Sequence, residues 1–234
     1  MKITAQILTF ILFSLFIVGC SITEEITFNA NGSIRYSYLI DGSAFMEILP
    51  DSTDQNNKGS KDTLVLLSDL FKQQRDSFSK LPKEDQEIIK TLNPLIIKVH
   101  KDEEKKEWIS QILGDFKNVD SLNMALSVLN DMGHSEGSMT KTMGFLTNTT
   151  YGWNGKEFIK TSVISKSMKE DSSSLYMYEG GKFHTKYNFP KKIKKVSDPS
   201  ALISQDGKSV IVEYDAQEYL RHPEKTNLKV ELED

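Results

Sequence analysis

Four short turn signals, each set between runs of strand-forming residues, constrain the fold of this chain more than any other feature. Asn-Gly and Asp-Gly pairs favour tight turns, because both residues tolerate the positive φ that a two-residue β-hairpin needs. The flanking residues are rich in β-branched and aromatic types, which is typical of strands. The sequence therefore predicts antiparallel hairpins at four places: Asn31-Gly32, Asn154-Gly155, Gly180-Gly181 and Asp206-Gly207.

A fifth hairpin and a last strand are predicted from two further stretches. Residues 95–113 hold two apolar runs joined by the polar segment from Asp102 to Lys106, which reads as a longer turn. Residues 227–233 alternate between apolar and polar side chains. With the four hairpins above, these stretches predict about ten strands, mostly antiparallel.

Amphipathic helices are predicted between the strands. Residues 62–81 carry a mostly apolar stripe of side chains at spacings of three and four, which predicts a helix. Asp62 is a suitable N-cap for this helix. The stripe consists of Leu64, Leu67, Phe71, Gln74 and Phe78. Residues 82–92 predict a second helix that Pro82 opens and that closes before Pro94.

A third helix is predicted over residues 120–133, with Asp120 or Ser121 as its cap and Gly133 as its stop. Its apolar stripe consists of Leu122, Ala125, Leu126 and Leu129. A short helical turn is predicted over residues 215–220. Runs of strands with three or four inserted helices indicate an α+β fold, built mainly from an antiparallel hairpin sheet.

The first residues of the chain predict a secretory signal. Lys2 is followed by a nearly unbroken apolar run from Ile7 to Val18, which ends just before Cys20, the only cysteine. The run is too short to cross a membrane as a helix, since that takes about 20 residues. A plain signal peptide with an incidental cysteine stays open as the alternative.

Ile17-Val18-Gly19-Cys20 resembles the lipobox of bacterial lipoproteins. This resemblance implies that the Cys20 thiol receives a diacylglyceryl group, that cleavage falls between Gly19 and Cys20, and that the new amine is acylated, with palmitate as the expected group. Two or more acyl chains hold a protein stably on a membrane. Residues 1–19 would then be a signal peptide. Residues 20–234 would form a single envelope domain, with a subdivision into 20–145 and 146–234 left open.

The residues after the cysteine bear on localisation. Ser21, rather than aspartate, resembles the outer-membrane class of Gram-negative lipoproteins, with a periplasmic or a surface location left open. Glu24 and Glu25 resemble the acidic surface-export signals of Bacteroidota lipoproteins, and the alternative is a solvated strand start. About four residues separate Cys20 from the first predicted strand, which places the domain within roughly 15 Å of the bilayer.

The composition offers little chemistry. Without Lys2 the chain has 28 basic and 33 acidic residues, a net charge of −5, which argues against nucleic acid as a partner. None of the four histidines stands at metal-ligand spacing from another: His100, His134, His184 and His222. The Ser-x-x-Lys pattern at residues 77–80 falls on the apolar stripe of a predicted helix. We therefore expect no catalytic site, no metal and no cofactor.

One basic segment has two interpretations. Four lysines surround Ile193 in the sequence: Lys191, Lys192, Lys194 and Lys195. They could face an anionic lipid or glycan surface, where each lysine contributes about 1 kcal/mol. The favoured alternative is an edge strand that lysines protect against pairing with another chain.

The arrangement as a whole resembles uncharacterised Bacteroidota lipoproteins, on Cys20, the hairpin at Asn31-Gly32 and the segments 102–126 and 188–214. The first hairpin and the last segment more faintly resemble the LppM-type lipoprotein domain, an α+β domain likened to lipid-binding folds. These resemblances imply a non-catalytic lipoprotein that is anchored through Cys20 and binds an apolar ligand or an envelope protein near the membrane. A scaffolding subunit and a hydrolase whose site is not visible in sequence are the alternatives.

Overall fold

A computed structural model describes residues 20–48, 59–133, 149–164 and 178–234. Within these ranges it contains twelve strands and six α-helices, and the fold is α+β. No helix in the described ranges is long and apolar enough to cross a membrane.

The larger sheet has eight strands in the order β10-β11-β8-β1-β2-β5-β4-β3. Its pairs are antiparallel except for one, the parallel pair of β1 and β8. The strands are β1 (Ser21–Phe28), β2 (Ile34–Asp41), β3 (Ser60–Leu66), β4 (Leu95–Asp102), β5 (Glu107–Phe116), β8 (Lys182–Asn188), β10 (Leu202–Ile203) and β11 (Ser209–Asp215).

A four-stranded antiparallel sheet packs against one face of the larger sheet. Its order is β6-β7-β12-β9. The strands are β6 (Thr149–Trp153), β7 (Glu157–Ser162), β9 (Ile193–Val196) and β12 (Leu228–Leu232). The rings of Phe28 and Phe158 lie 5.2 Å apart and those of Phe158 and Tyr187 lie 4.6 Å apart, so aromatic side chains join the two sheets.

Six α-helices connect the strands. They are α1 (Ser43–Ile48), α2 (Leu67–Gln73), α3 (Arg75–Phe78), α4 (Lys83–Lys90), α5 (Val119–Gly133) and α6 (Ala216–Arg221), and a 3₁₀ helix follows at Pro223–Thr226. Helix α5 buries the predicted stripe of Leu122, Ala125, Leu126 and Leu129 and packs on strands of both sheets. Truncating a buried leucine of this kind to alanine typically costs about 2–5 kcal/mol.

Four of the five predicted hairpins are confirmed: β1–β2, β4–β5, β6–β7 and β10–β11. The turn glycines Gly32, Gly155 and Gly207 have φ of 84°, 86° and 73°, values that strain any residue with a side chain. The C-terminal strand, β12, is confirmed as well.

The hairpin predicted at Gly180-Gly181 is wrong, although Gly180 does form a turn with φ of 71°. Strand β8 follows this turn, and its two edges are already paired with β1 and β11. A preceding strand therefore has no edge of β8 on which to fold back. The local turn signal is correct, but long-range pairing determines the neighbours of the strand.

The helix predicted over residues 62–81 is wrong in its first part. Residues 60–66 form β3, and Asp62 lies opposite His100 of β4 instead of capping a helix. Helices α2 and α3 begin only at Leu67 and Arg75. The run Thr63-Leu64-Val65-Leu66 has strand-forming character, and pairing with β4 satisfies its backbone groups, which overrides the helical spacing.

The cap of α5 also differs from the prediction. Asn118 accepts a hydrogen bond from the Ser121 amide at 3.0 Å, and the Ser121 hydroxyl accepts one from the Asn118 amide at 3.2 Å. This reciprocal pair satisfies two backbone donors at the helix start. The cap is therefore Asn118, and Asp120 and Ser121 lie inside the first turn.

The first hairpin and the later strands belong to one sheet. Strands β1 and β2 lie beside β8 and β11, which come from the last quarter of the chain. The division of the domain at residues 145 and 146 stays a prediction.

Candidate functional site

Cys20 lies at the very start of the sheet. Strand β1 begins at Ser21, and the Cys20 carbonyl accepts a hydrogen bond from the Lys182 amide at 3.0 Å. A Cβ on Gly181 would lie 2.5 Å from the Cys20 carbonyl oxygen, so this close approach requires glycine. The expected spacer of about four residues between cysteine and strand is therefore absent, because the alternating pattern extends back to Ser21.

The Cys20 side chain is a free thiol that is only 1% exposed. Burial, and next the negative charge of Asp41, raise the pKa of this thiol to about 12. A thioether that carries two acyl chains does not fit a buried position. In the lipidated protein the Cys20 side chain would therefore have to leave this buried position, which requires this end of β1 to open. Ile17 to Gly19 and the cleavage junction lie outside the described residues, so lipidation at Cys20 stays a prediction.

The register identifies the end of the larger sheet at which Cys20 lies. At this end, one row of paired residues crosses five neighbouring strands: Ser21, Asp41, Ile109, His100 and Asp62. We call this row the anchor-side rim. At about 4.8 Å per strand, His100 lies roughly 14 Å from Ser21 along the rim.

The rim brings together a histidine and carboxylates that sequence analysis did not connect. His100 Nδ1 lies 2.8 Å from Asp62 Oδ1, and His100 Nε2 lies 3.4 Å from Glu107 Oε2. The hydrogen bond to Asp62, with a further contribution from Glu107, raises the pKa of His100. The helical spacing of residues 62–81 predicts a cap role for Asp62, and this prediction does not place it near a histidine.

The predicted lysine patch lies away from this rim. Lys191 and Lys192 follow the far end of β8, and the Ile193 amide donates to the Gly207 carbonyl at 2.7 Å. Strand β1 has eight residues, so this far end lies about 26 Å from Cys20. That distance exceeds the Debye length of about 8 Å at physiological salt. Attraction between these lysines and the membrane that holds the anchor would be screened.

Lys194 and Lys195 are exposed on β9, an edge strand of the smaller sheet. This position favours the interpretation that the lysines protect an edge strand. The anionic-surface role of the patch stays a prediction.

A buried ion pair lies between the two sheets. Glu24 of β1 is 2% exposed, Lys160 of β7 is 1% exposed, and Lys160 Nζ lies 3.7 Å from Glu24 Oε1. The Tyr187 hydroxyl donates a short hydrogen bond to the same glutamate. The sequence interpretation of Glu24 as solvated or as part of an export signal overlooked the strand period, which places it on one face with Ile22, Ile26 and Phe28.

The surroundings of the lysine are aromatic. Lys160 Nζ lies 4.8 Å from the centroid of the Phe183 ring and 5.8 Å from that of Tyr219, within cation–π range. Burial lowers the pKa of Lys160, and the charge of Glu24 opposes that shift. Since both charged groups are closed off from solvent, the pair does not meet a substrate in this conformation.

No family model matches the chain, and a search of the curated proteins found no match. Among solved structures, the chain is similar to the folded domain of the LppM protein of Mycobacterium tuberculosis, determined by NMR. The TM-score is 0.43 at 8% sequence identity, over 92% of this chain and 89% of that one. A likeness at this level carries no conclusion about family or function, and the resemblance to Bacteroidota lipoproteins stays a prediction.

We predict that removing Glu24 alone destabilises the protein. Glu24→Leu leaves a buried lysine unpaired and should lower the free energy of unfolding by about 3–5 kcal/mol, measured by urea denaturation. The double variant Glu24→Leu/Lys160→Met should recover most of this loss, because no uncompensated charge remains.

Glu25 is the matched control on the same strand. It is partly exposed and pairs with Lys186 at 3.0 Å, so Glu25→Leu should change stability by less than about 1 kcal/mol. Equal effects of the two leucine variants would contradict a structural role for the buried pair.

We also predict that the Cys20 thiol is unreactive once the domain has folded. With its pKa raised from 9.0 to about 12, the thiolate fraction at pH 8 is about a thousandfold smaller, so iodoacetamide should label the folded, unlipidated chain at least that much more slowly than the unfolded chain. The folded chain should reach half-maximal thiolate only near pH 12. A Val163→Cys/Cys20→Ala variant is the control, because residue 163 is exposed and its thiol should react at the rate of a free cysteine. Fast labelling of Cys20 in the folded chain would show that its end of β1 is open.

Proposed function

We propose that this protein is a non-catalytic envelope lipoprotein that is anchored through Cys20 and binds a protein partner beside the membrane. The observation that carries the proposal is the position of Cys20, since β1 begins at the next residue. A lipid on Cys20 would hold the anchor-side rim against the bilayer surface, with no linker to let the domain reorient. Ser21 supports the outer membrane as the location.

The anchor strand is well placed to hold a domain. Strand β1 is paired on both edges, with β2 and with β8, over nearly its whole length. A force on Cys20 therefore acts on a strand that is held by backbone hydrogen bonds on both edges, and not on an unpaired chain end. The lipid would fix both the position of the domain and the direction in which its sheet points.

A partner surface is supported by apolar side chains that the fold leaves in solvent. Five large apolar residues between β3 and α4 are exposed, among them Leu64 at 58% and Ile88 at 43%. The five are Leu64, Leu66, Leu70, Leu81 and Ile88. We call them the β3–α4 patch. Leu64 and Leu66 lie two residues apart on β3 and therefore on the same face, and exposed apolar surface is typical of protein interaction sites.

The edge of the sheet supports the same assignment. Strand β3 is the last strand on its side, and six of its seven residues are exposed. The backbone groups on its outer edge can pair with an added strand, while Leu64 and Leu66 supply apolar contacts. A protein partner that adds a strand here matches both features.

The interior of the domain favours a protein partner over an apolar ligand held between the sheets. The side chains of Phe28, Trp153, Phe158 and Phe189 occupy the region between the sheets, with ring centroids 4.6–5.8 Å apart. These four rings pack against one another, whereas Leu64 and Ile88 are exposed on the outside of the domain.

We predict that the mature protein begins at Cys20. Intact mass spectrometry of the protein from its own membrane should show loss of residues 1–19 and the mass of a diacylglyceryl group with an amide-linked acyl chain. Cys20→Ala should keep residues 1–19 and carry no lipid, because the thiol that receives the lipid is gone. Ser21→Asp is the control, since it should be processed normally but retained at the inner membrane. An acyl-free mature wild-type chain would refute the anchor.

We predict that the partner contacts the β3–α4 patch. A photoreactive amino acid at residue 64 or 88 should crosslink in intact cells to one and the same envelope protein, in a lipid-dependent way that Cys20→Ala abolishes. Residue 202 is the matched control, because Leu202 is 70% exposed on the opposite edge of the same sheet. Adducts at residue 202 alone, or at no position, would refute this surface, and a crosslink to lipid only would indicate ligand binding instead.

A further inference from the structure

One face of the anchor-side rim gathers a histidine and three carboxylates from three strands. Asp62 lies opposite His100, and Asp102 lies opposite Glu107. His100 and Asp102 are two residues apart on β4, so their side chains point to the same side of the sheet. We call these four residues the rim cluster.

The functional atoms of the rim cluster lie close together. One ligand atom each from His100, Asp102 and Glu107 lies within 4.8 Å of the other two. Four-coordinate zinc holds nitrogen and oxygen ligands at about 2.0–2.2 Å, which places neighbouring ligand atoms about 3.4 Å apart. Side-chain movements of about 1 Å would bring the three atoms onto one ion.

Asp62 supplies an independent feature of a metal site. Its Oδ1 lies 2.8 Å from His100 Nδ1, on the side of the ring away from Glu107. A hydrogen bond from Nδ1–H to a carboxylate fixes the tautomer in which Nε2 has a free lone pair. This carboxylate–histidine arrangement typically orients histidine ligands of zinc.

We propose that His100 Nε2, Glu107 and Asp102 bind a zinc ion at the anchor-side rim, with Asp62 orienting His100. Asp102 is held in place, because its Oδ1 accepts hydrogen bonds from the Glu104 and Lys105 amides at 3.1 Å and 3.0 Å. Its Oδ2 faces Lys105 Nζ at 3.2 Å, and the lysine side chain is 67% exposed, so it can move aside for the ion.

The donor set selects the class of ion. One imidazole nitrogen with two carboxylates suits zinc, whereas calcium prefers six to eight oxygen ligands and magnesium prefers oxygen ligands and water. His100 and Glu107 are only partly buried, which leaves the fourth position to water. The proposal does not depend on the proposed partner or on the anchor, since it concerns β3, β4 and β5 alone.

The test is zinc binding by the purified protein, which is kept in detergent so that a lipid on Cys20 would stay soluble. Titration calorimetry, with competition against a chromophoric chelator, should show one zinc per chain with a Kd of micromolar or tighter. Calcium at the same concentrations should give no heat. Zinc should also raise the Tm of the wild type, because it binds the folded state.

Single substitutions identify the zinc ligands, and each is conservative so that the variant is expected to fold. His100→Gln and Glu107→Gln should each weaken binding at least tenfold and remove the zinc-dependent rise in Tm. Asp62→Asn should weaken binding about 10- to 100-fold, as loss of an orienting carboxylate does. Each variant's Tm without zinc reports whether it has folded.

His184→Gln is the matched control, because His184 also faces a carboxylate, Glu213 at 3.7 Å, on another strand of the same sheet. It should bind zinc like the wild type. If the wild type binds no zinc even at a concentration 100-fold above micromolar, the rim cluster is a salt bridge only and the proposal is overturned. Unchanged affinity in His100→Gln and Glu107→Gln would overturn it as well, since zinc would then be bound elsewhere.

Discussion

The buried pair of Lys160 and Glu24 constrains how the two sheets fit together. Each partner lies on the inner face of a different sheet, and each would be an uncompensated charge if the sheets docked in another register. Replacing such a pair with apolar residues is often neutral, whereas breaking it is costly. We therefore infer that the pair contributes to the specificity of docking more than to total stability, and that the surrounding aromatic rings supply the stability.

The strand that holds Glu24 begins at the residue after Cys20, the proposed site of the lipid anchor. Strand β1 is an interior strand of the larger sheet, so an attachment at Cys20 connects directly to the middle of the domain. The buried thiol conflicts with a lipid on the closed strand end, because a thioether that carries two acyl chains does not fit where the thiol lies. The fold and the proposed anchor therefore agree only if this end of β1 opens and releases the Cys20 side chain.

The hairpins could be predicted because their signals are local. A glycine with positive φ between strand-forming runs specifies a turn and its two neighbours, as at Gly32, Gly155 and Gly207. The parallel pairing of β1 with β8 could not be predicted, since it joins segments about 160 residues apart and has no turn to mark it. That pairing also explains the failure at Gly180-Gly181, where a correct turn signal leads into a strand with no free edge.

The rim cluster shows how one incorrect element assignment hides a group of neighbouring side chains. The predicted turn from Asp102 to Lys106 already implied that His100 and Glu107 lie on facing strands. Asp62 was missed because a helix assigned to residues 62–81 made it a cap, whereas the pairing of β3 with β4 places it opposite His100, 38 residues along the chain. Leu64 and Leu66 fit the strand period of two, whereas Leu64 and Leu67 fit the helical spacing of three, so spacing alone could not decide between helix and strand there. The edge of β4 decides in favour of a strand. Pairing with β3 satisfies the backbone groups on this edge, and a helix that started at residue 62 would leave them unpaired.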